Sequence, residues 1–405
     1  MTIQSKQPCI CMIVQQVYDQ DARVMRYTEA LLQAGARVDV LSTPGDEKMP
    51  VDRGNSLRVF TIPLAHTSQS LASYLFEYLL AMVLFSFKLL ILHIQTPYDV
   101  IHVHNMPDFL VFAAVIPRIF GTKLILDIHD PMPEFYQAKF QKKAGHPLVR
   151  LMKLQERWSA AFSNAVLTAN PTFKENLILR GIPAEKITVT QNLPDRNIFN
   201  REKYQRRTDR SKKFTLLYPG TIAPRYGLDI AIRSLPFLMK EIPALWLRII
   251  GDYNKHTQAL KKLAIDLGVD HLVEFVTLIP RNEIPREMSQ ADIGIYPALP
   301  DPHMSIAMPG KVLEYAIMGL PVVTSRLPVL EDVFSDNTVY YVPHGNPKAF
   351  ADAILDLYKH PEKCETLVKS ADQEFVQVQN WEIEKQKYFR VLSNLLPTDT
   401  KLQTS

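Results

Sequence analysis

Two stretches of the chain pair glycine turns with a cation at a spacing suited to holding a phosphate. In YPGTIAPRYGLDIAI, residues 218–232, an apolar run ends at Gly220, a short loop carries Thr221 and Arg225, and Gly227 opens a helical run. A helix that starts straight after a strand offers free backbone N–H groups and a partial positive charge. A guanidinium beside it adds a bidentate contact to an oxyanion. In SIAMPGKVLEYAIMGLPVVTS, residues 305–325, Pro309 and Gly310 start a helix, Lys311 falls in its first turn, and Glu314 follows on the same face. A lysine there opposes the helix dipole, and an anionic ligand would account for it. Glu314 could accept hydrogen bonds from sugar or ribose hydroxyls. Taken singly, an ordinary turn with a surface arginine and a solvent Lys–Glu pair remain the plainer alternatives.

A second group lies in the first half. HVHNMPDFL (102–110) and LDIHDPMPE (126–134) follow the ends of two strand-like runs, where open parallel sheets bind ligands. His129, between Asp127 and Asp130, is the candidate for chemistry, because flanking carboxylates can orient its ring. His102 and His104 share a metal-like i, i+2 spacing, but no cysteine or further histidine cluster lies near. Strand-end packing is expected there, and no metal. In YDQDARVMR (18–26) Asp21 reads as a helix N-cap. No G-x-G-x-x-G follows the first strand, where Gln15 and Gln16 stand instead. No G-x-x-x-x-G-K-[ST] or G-x-S-x-G occurs either. A P-loop ATPase is excluded, and a dinucleotide oxidoreductase is disfavoured.

These residues need strands and helices to place them. Short apolar runs predict strands at 9–14, 36–42, 57–62, 99–104, 123–129, 165–169 and 187–191, with amphipathic helices between them, as at 22–34 and 147–163. Strands of this kind alternating with helices mean a parallel sheet covered on both faces. The polar, basic segment 196–213 reads as a linker, after which strands are predicted at 214–219, 245–251, 272–277, 291–297 and 320–325. The fold class is α/β, with two successive Rossmann-like domains. The domains are expected at 1–195 and 214–375, with a helical tail, 376–405, carrying Trp381, Tyr388, Val391 and Leu392.

The 405 residues suit two domains. A net charge of +4 gives no reason to expect nucleic-acid binding. Cys9, Cys11 and Cys364 read as buried free thiols, which implies a reducing compartment. The N-terminus reads as a first strand, not a signal peptide. The segment LASYLFEYLLAMVLFSFKLLILHI, 71–94, is nearly all apolar, with Glu77, Lys88 and His93 as its ionisable residues. Those ionisable groups disfavour a membrane span, so a helix that is buried or lies on a membrane surface is expected. Glycine is scarce: of 14, six precede residue 182 and eight fall between 220 and 345. The phosphate site is therefore expected in the second half.

Taken jointly, LLYPGTIAPRYGLDIAI, LRIIGD, LVEFVTLIPRNEIPREMSQADIGIYP, PGKVLEYAIMGLPVVTS and PHGNPKAFADAI resemble the retaining glycosyltransferases of family 4, which have the GT-B fold. The first half, through DARV, VHNMPDFL, DIHDPMPE and TANPTFKENLILRGIPAEKITVTQNLPD, is similar to a bacterial surface-polysaccharide subset. The resemblance covers roughly residues 8–395. It implies two facing Rossmann-like domains with a cleft between them, and a last helix that crosses back onto the first.

It also implies a nucleotide diphosphate sugar held by the second domain as a substrate, without a cofactor. Gly220, Thr221, Arg225, Gly227, Gly310 and Glu314 would be the donor side, joined by Lys311 on the strength of its first-turn position, and His129, Arg225 and Lys311 the catalytic groups. Asp21, Arg23, His104, Asp108, Asp130 and Glu134 would be the acceptor side. The acceptor would be a glycan or lipid-linked glycan, handled in the cytoplasm or at the inner face of the plasma membrane. Two departures stand out. Ile306 occupies the first of the two glutamate positions the family often has, and Tyr226 stands where a basic residue usually precedes the helix-opening glycine. A nucleotide-sugar epimerase of the same fold, or a non-catalytic component of a polysaccharide assembly complex, are the alternatives.

Overall fold

A computed structural model describes residues 6–45, 56–64, 71–207, 213–398 and 400–403. The chain forms two compact units, Met1–Asn192 with Glu382–Ser405, and Leu193–Trp381.

Among the described residues of the first unit, seven parallel strands form one sheet: β1 (Cys9–Val17), β2 (Arg37–Thr43), β3 (Leu57–Thr61), β4 (Val100–His104), β5 (Lys123–Ile128), β6 (Ala165–Thr168) and β7 (Ile187–Val189). Their spatial order is β3-β2-β1-β4-β5-β6-β7. The central strands are apolar on both faces because helices cover both; Ile10 to Ile13 are wholly buried. The strand order reverses between β1 and β4, so the carboxyl ends of these two strands frame the crevice where such sheets take ligands.

Asp21 starts the helix Ala22–Gln33 by accepting hydrogen bonds from the N–H groups of Arg23 and Val24, both at 3.0 Å. Cys9, Cys11 and Cys364 are free and buried. In the helix Trp381–Leu395, Tyr388 is fully buried, with its ring 4.3 Å from that of Tyr27. Glu384 of the same helix accepts from the Gln191 N–H at 2.9 Å.

The apolar segment 71–94 is a 25-residue helix, Leu71–Gln95. Its Ala81, Phe85, Leu89 and Leu92 enter the core of the first unit. The opposite face is apolar and open to solvent: Phe76 is 68% exposed, Val83 61% and Phe87 66%. By length and composition alone this helix could cross a membrane, but its inner face belongs to the sheet's core.

In the second unit the described strands are β8 (Phe214–Pro219), β9 (Leu245–Ile250), β10 (Val273–Val276), β11 (Ile293–Tyr296), β12 (Val322–Ser325) and β13 (Tyr340–Val342), all parallel. The order β10-β9-β8-β11-β12-β13 puts the switch point between β8 and β11. The first strand's end therefore carries Gly220 and its loop straight to the crevice position.

β13 was not anticipated, since three residues at a sheet edge give no periodic signal. The segment read as a linker is folded into this unit where it is described. Phe199 is only 1% exposed in the unit's core, and Arg201 and Arg207 pair with Asp372 and Asp292. Residues 208–212 of that segment lie outside the described residues.

Candidate functional site

In the second unit the ends of β8 and β11 and the start of the helix Gly310–Ile317 meet. Gly227 adopts φ +62°, and a Cβ there would lie 2.0 Å from the Pro297 carbonyl oxygen. Only glycine lets the loop after β8 press this closely on the loop after β11. The Arg225 carbonyl accepts from the Leu299 N–H at 2.9 Å and locks the two loops together. Gly220, at φ +136°, would with a Cβ press to 3.0 Å on the Lys311 Cε. Its glycine thus makes room for the lysine.

The Lys311 ammonium sits among three tyrosine rings, 5.1 Å from the Tyr218 centroid, 4.7 Å from Tyr226 and 5.2 Å from Tyr296. Aromatic faces attract a cation without neutralising it. Burial lowers the Lys311 pKa to about 8, against the opposing pull of Glu314. Burial also raises Glu314 to about 7, despite Arg281, which donates to its Oε1 at 3.2 Å, and despite Lys311. Arg225 is partly exposed, with its Nε 3.9 Å from the Asp301 carboxylate. Thr221 is exposed beside it, and its carbonyl accepts from the Tyr218 hydroxyl at 2.8 Å. Gly220, Thr221, Arg225, Gly227, Gly310 and Lys311 are thus gathered at one crevice. The Tyr226 ring, where a basic residue was expected, forms a wall of the Lys311 cage.

The first unit separates its candidates into two groups. Arg23, Asp127, His102 and His104 are buried and cluster around the Asp127 carboxylate. Arg23 donates to both Asp127 oxygens, at 2.7 and 3.0 Å, and to the carbonyl and hydroxyl of Thr190 at 2.8 and 2.9 Å. The His104 Nδ1 is 3.3 Å from Asp127, and the His102 Nδ1 is 3.2 Å from the Tyr388 hydroxyl. Burial would raise the Asp127 pKa, but Arg23, His104 and His129 outweigh it and hold the carboxyl well below its usual range.

Arg23 and His104 therefore do not stand on an acceptor-facing surface, and Asp21 spends its carboxylate on the helix cap. All three position other groups. His102, His104 and Asp127 bring ligand-type atoms within 4.8 Å of one another, but Arg23 occupies both Asp127 oxygens and already supplies the cation.

This pair carries a stability prediction. Asp127→Ala would strand the Arg23 charge in a dry interior, at a cost of about 3–5 kcal/mol. Urea unfolding should read that loss, and a loss under ~1 kcal/mol would contradict the assigned pairing.

The second group stands at the edge of this network. His129 is partly exposed, and its Nδ1 lies 3.8 Å from Asp127. Asn105 ties the neighbouring loops together: its amide nitrogen donates to Asp108 at 2.8 Å and to the Asp130 carbonyl at 2.5 Å, and its oxygen accepts from the His129 N–H at 3.1 Å. Asp108 is buried, its other oxygen has no hydrogen-bond partner, and burial raises its pKa to about 6 against the Asn105 bond. Glu134 accepts from Arg180, which also donates to Glu156 at 2.8 and 3.0 Å. The structure thus brings His129, Asp108, Asp130 and Glu134 together around Asn105 and Arg180. Asn105, Arg180, Glu156 and Thr190 were missed, since nothing in their spacing marks them.

Residues 20–192 match the family described as Glycosyl transferase 4-like domain, and residues 213–360 the family Glycosyl transferases group 1. The chain is 28% identical over 200 residues to the amylovoran biosynthesis glycosyltransferase AmsK of Erwinia amylovora, covering 49% of this chain and 48% of AmsK. It spans about half the length of the curated relatives it matches.

Among solved structures, sucrose-phosphate synthase from Thermosynechococcus elongatus superposes with a TM-score of 0.77 at 18% identity, covering 96% of this chain and 99% of that one. HepE of Anabaena, in complex with UDP and glucose, superposes with a TM-score of 0.69 at 18% identity, covering 96% of this chain and 100% of that one. With one family match falling on each Rossmann-like unit, in this order along the sequence, the chain belongs to the GT-B glycosyltransferases.

Proposed function

We propose that the chain transfers a sugar from a nucleotide diphosphate sugar, held by the second unit, to an acceptor hydroxyl held by the first, with retention at the anomeric carbon. The observation that carries this is the meeting of Lys311, Arg225 and Gly220 at the switch point of the second sheet. Departure of a nucleoside diphosphate needs growing negative charge stabilised. Two side-chain cations and the helix starts at Gly227 and Gly310 supply this in a preorganised form. Glu314 is placed to accept from a hydroxyl of the donor. His129, partly exposed and 3.8 Å from Asp127, faces the acceptor. The UDP and glucose named with HepE support a nucleotide-sugar donor, and the resemblance to family 4 supports retention. The first half's similarity to a bacterial surface-polysaccharide subset supports a surface polysaccharide as product.

The direct test is a thermal-shift screen against nucleotide diphosphate sugars. At a hundredfold excess over Kd a ligand stabilises the folded chain by about 2.7 kcal/mol. One sugar nucleotide should raise Tm by several degrees, and a flat response to all of them would refute the reading. Donor turnover without any acceptor would favour the epimerase.

The acceptor in this reading is lipid-linked. An apolar stripe through Phe76, Val83 and Phe87, 68%, 61% and 66% exposed, is what a helix lying in a membrane interface presents. Flotation with anionic vesicles should carry the protein upward, and Val83→Glu with Phe87→Glu should leave it at the bottom. Equal flotation of wild type and variant would rule out this face as the contact.

A further inference from the structure

Glu314 lies on the helix Gly310–Ile317 with its side chain 16% exposed, and its Oε1 accepts from the Arg281 Nη2 at 3.2 Å. Arg281 comes from a different element, the single turn Arg281–Glu283 that follows β10. Its guanidinium stands over the Phe199 ring, 5.7 Å from the centroid, and Phe199 is fixed in the core of the second unit. Its own side chain is 46% exposed. A half-exposed cation thus reaches a carboxylate that is mostly withdrawn from water.

This pair is open where a purely structural one is closed. In the same unit Arg248 donates through Nε and Nη2 to both oxygens of Glu287, at 2.7 and 3.1 Å. Such a fork occupies the whole carboxylate. Arg281 engages one oxygen of Glu314, and among the described residues the Oε2 accepts no hydrogen bond. A carboxylate withdrawn from water is costly to ionise unless a cation meets it. Among the described residues the charged groups that face Glu314 are Arg281, from the turn after β10, and Lys311, from its own helix. Lys311 turns its ammonium into the tyrosine cage, so the direct contact is left to Arg281.

We propose that Arg281 is a positioning residue for the donor: it pins one oxygen of Glu314, keeps this carboxylate ionised, and leaves the other oxygen to accept from a donor hydroxyl. The inference rests on the reading of the second unit as the donor unit. A protonated Glu314 would present a hydroxyl in place of an acceptor and loosen its hold on Arg281. The crevice therefore has a narrow working window. Glu314, raised by burial to about 7, is charged above that pH, and Lys311, lowered by burial to about 8, is charged below it.

Two measurements test this. The first needs no ligand. The Glu314 carboxyl carbon is followed by NMR against pH in the full chain, isotope-labelled at the glutamate Cδ, with Glu314→Gln identifying the signal. Arg281→Gln should move the midpoint up by about one pH unit, because it removes an opposite charge. Arg281→Lys keeps a cation and should recover more than half of that shift. An unmoved midpoint in Arg281→Gln would overturn the proposal.

The second is calorimetric affinity for the diphosphate glucoses of uridine, guanosine, thymidine, adenosine and cytidine, at pH 7 and pH 9. The ratio of wild-type to Arg281→Gln affinity should fall at least about threefold from pH 7 to pH 9, where both chains carry an ionised Glu314. A smaller change would mean that Arg281 shapes the crevice without acting through this charge, and would also overturn the proposal. Wild type that binds none of the five, with the midpoint shift intact, would fault the donor reading and leave Arg281 as the group that sets the charge of Glu314. Nucleotide-sugar binding with an unmoved midpoint would fault the role of Arg281 alone.

Discussion

Arg225→Ala is expected to lower turnover by about 10²–10³-fold while leaving the fold intact. Removing one preorganised donor from a developing oxyanion costs about that much. The side chain is partly exposed and its Nε stands 3.9 Å from the partly exposed Asp301 carboxylate, so its loss strands no buried charge. The backbone of residue 225 holds the loop through its carbonyl to Leu299, and alanine keeps that bond. The loss should therefore appear in kcat and kcat/KM with Tm unchanged. Turnover within threefold of wild type would remove Arg225 from the reaction. Lysine should rescue only in part, because an ammonium cannot make the guanidinium's paired contact.

Lys311→Met should cost a similar factor, with two signatures that a structural lysine would not give. The first is pH. With its pKa lowered to about 8, Lys311 is charged below that pH and loses its proton above it. Activity of the free enzyme should fall as pH rises through about 8, and the variant's residual activity should lack that fall. The second is stability. Because burial depresses the folded-state pKa, the charged lysine costs folding energy below about pH 8, and this cost fades toward the lysine's ordinary pKa near 10.5. Methionine keeps the cage filled and removes the charge, so Tm at pH 7 should hold or rise while the Tm shift from the nucleotide sugar shrinks. A falling Tm with full turnover would mean that the tyrosine cage, and not the ligand, is the reason for the lysine.

The elements that position these groups were legible because their signals are local. Ile10–Ile13 and Leu216–Tyr218 are continuous apolar runs, which only a doubly covered strand tolerates. Asp21, Asn170 and Asn254 cap helices whose starts can be read from a polar residue before an apolar pattern. The glycines at 220 and 227 pointed to the crevice of the second unit because their need for unusual backbone geometry is written in the residue type.

The buried polar groups are different. Arg23 meets Asp127 and Thr190 across separations of 104 and 167 residues, and no spacing rule links such partners. The resemblance gave Arg23 and His104 an acceptor-side role, whereas the fold buries both. The helix Leu71–Gln95 shows a third case. Its apolar composition was plain, but which stripe would be left exposed depended on where β3 and β4 run.

The helix Trp381–Leu395 bears on how the protein is made. Residues 193–381 form the second unit as one uninterrupted stretch, so it can fold as soon as it leaves the ribosome. The first unit is begun earlier but completed last. Tyr388, packed on Tyr27 and His102, and Glu384, bonded to Gln191, arrive only after the second unit has been made. Synthesis from the N-terminus normally folds the leading domain first. In this chain that order is reversed, and the first unit must wait, with its aromatic slot open, until the residues beyond 381 have been made. A chain truncated after residue 381 should show a protease-resistant second unit and a first unit still open to cleavage.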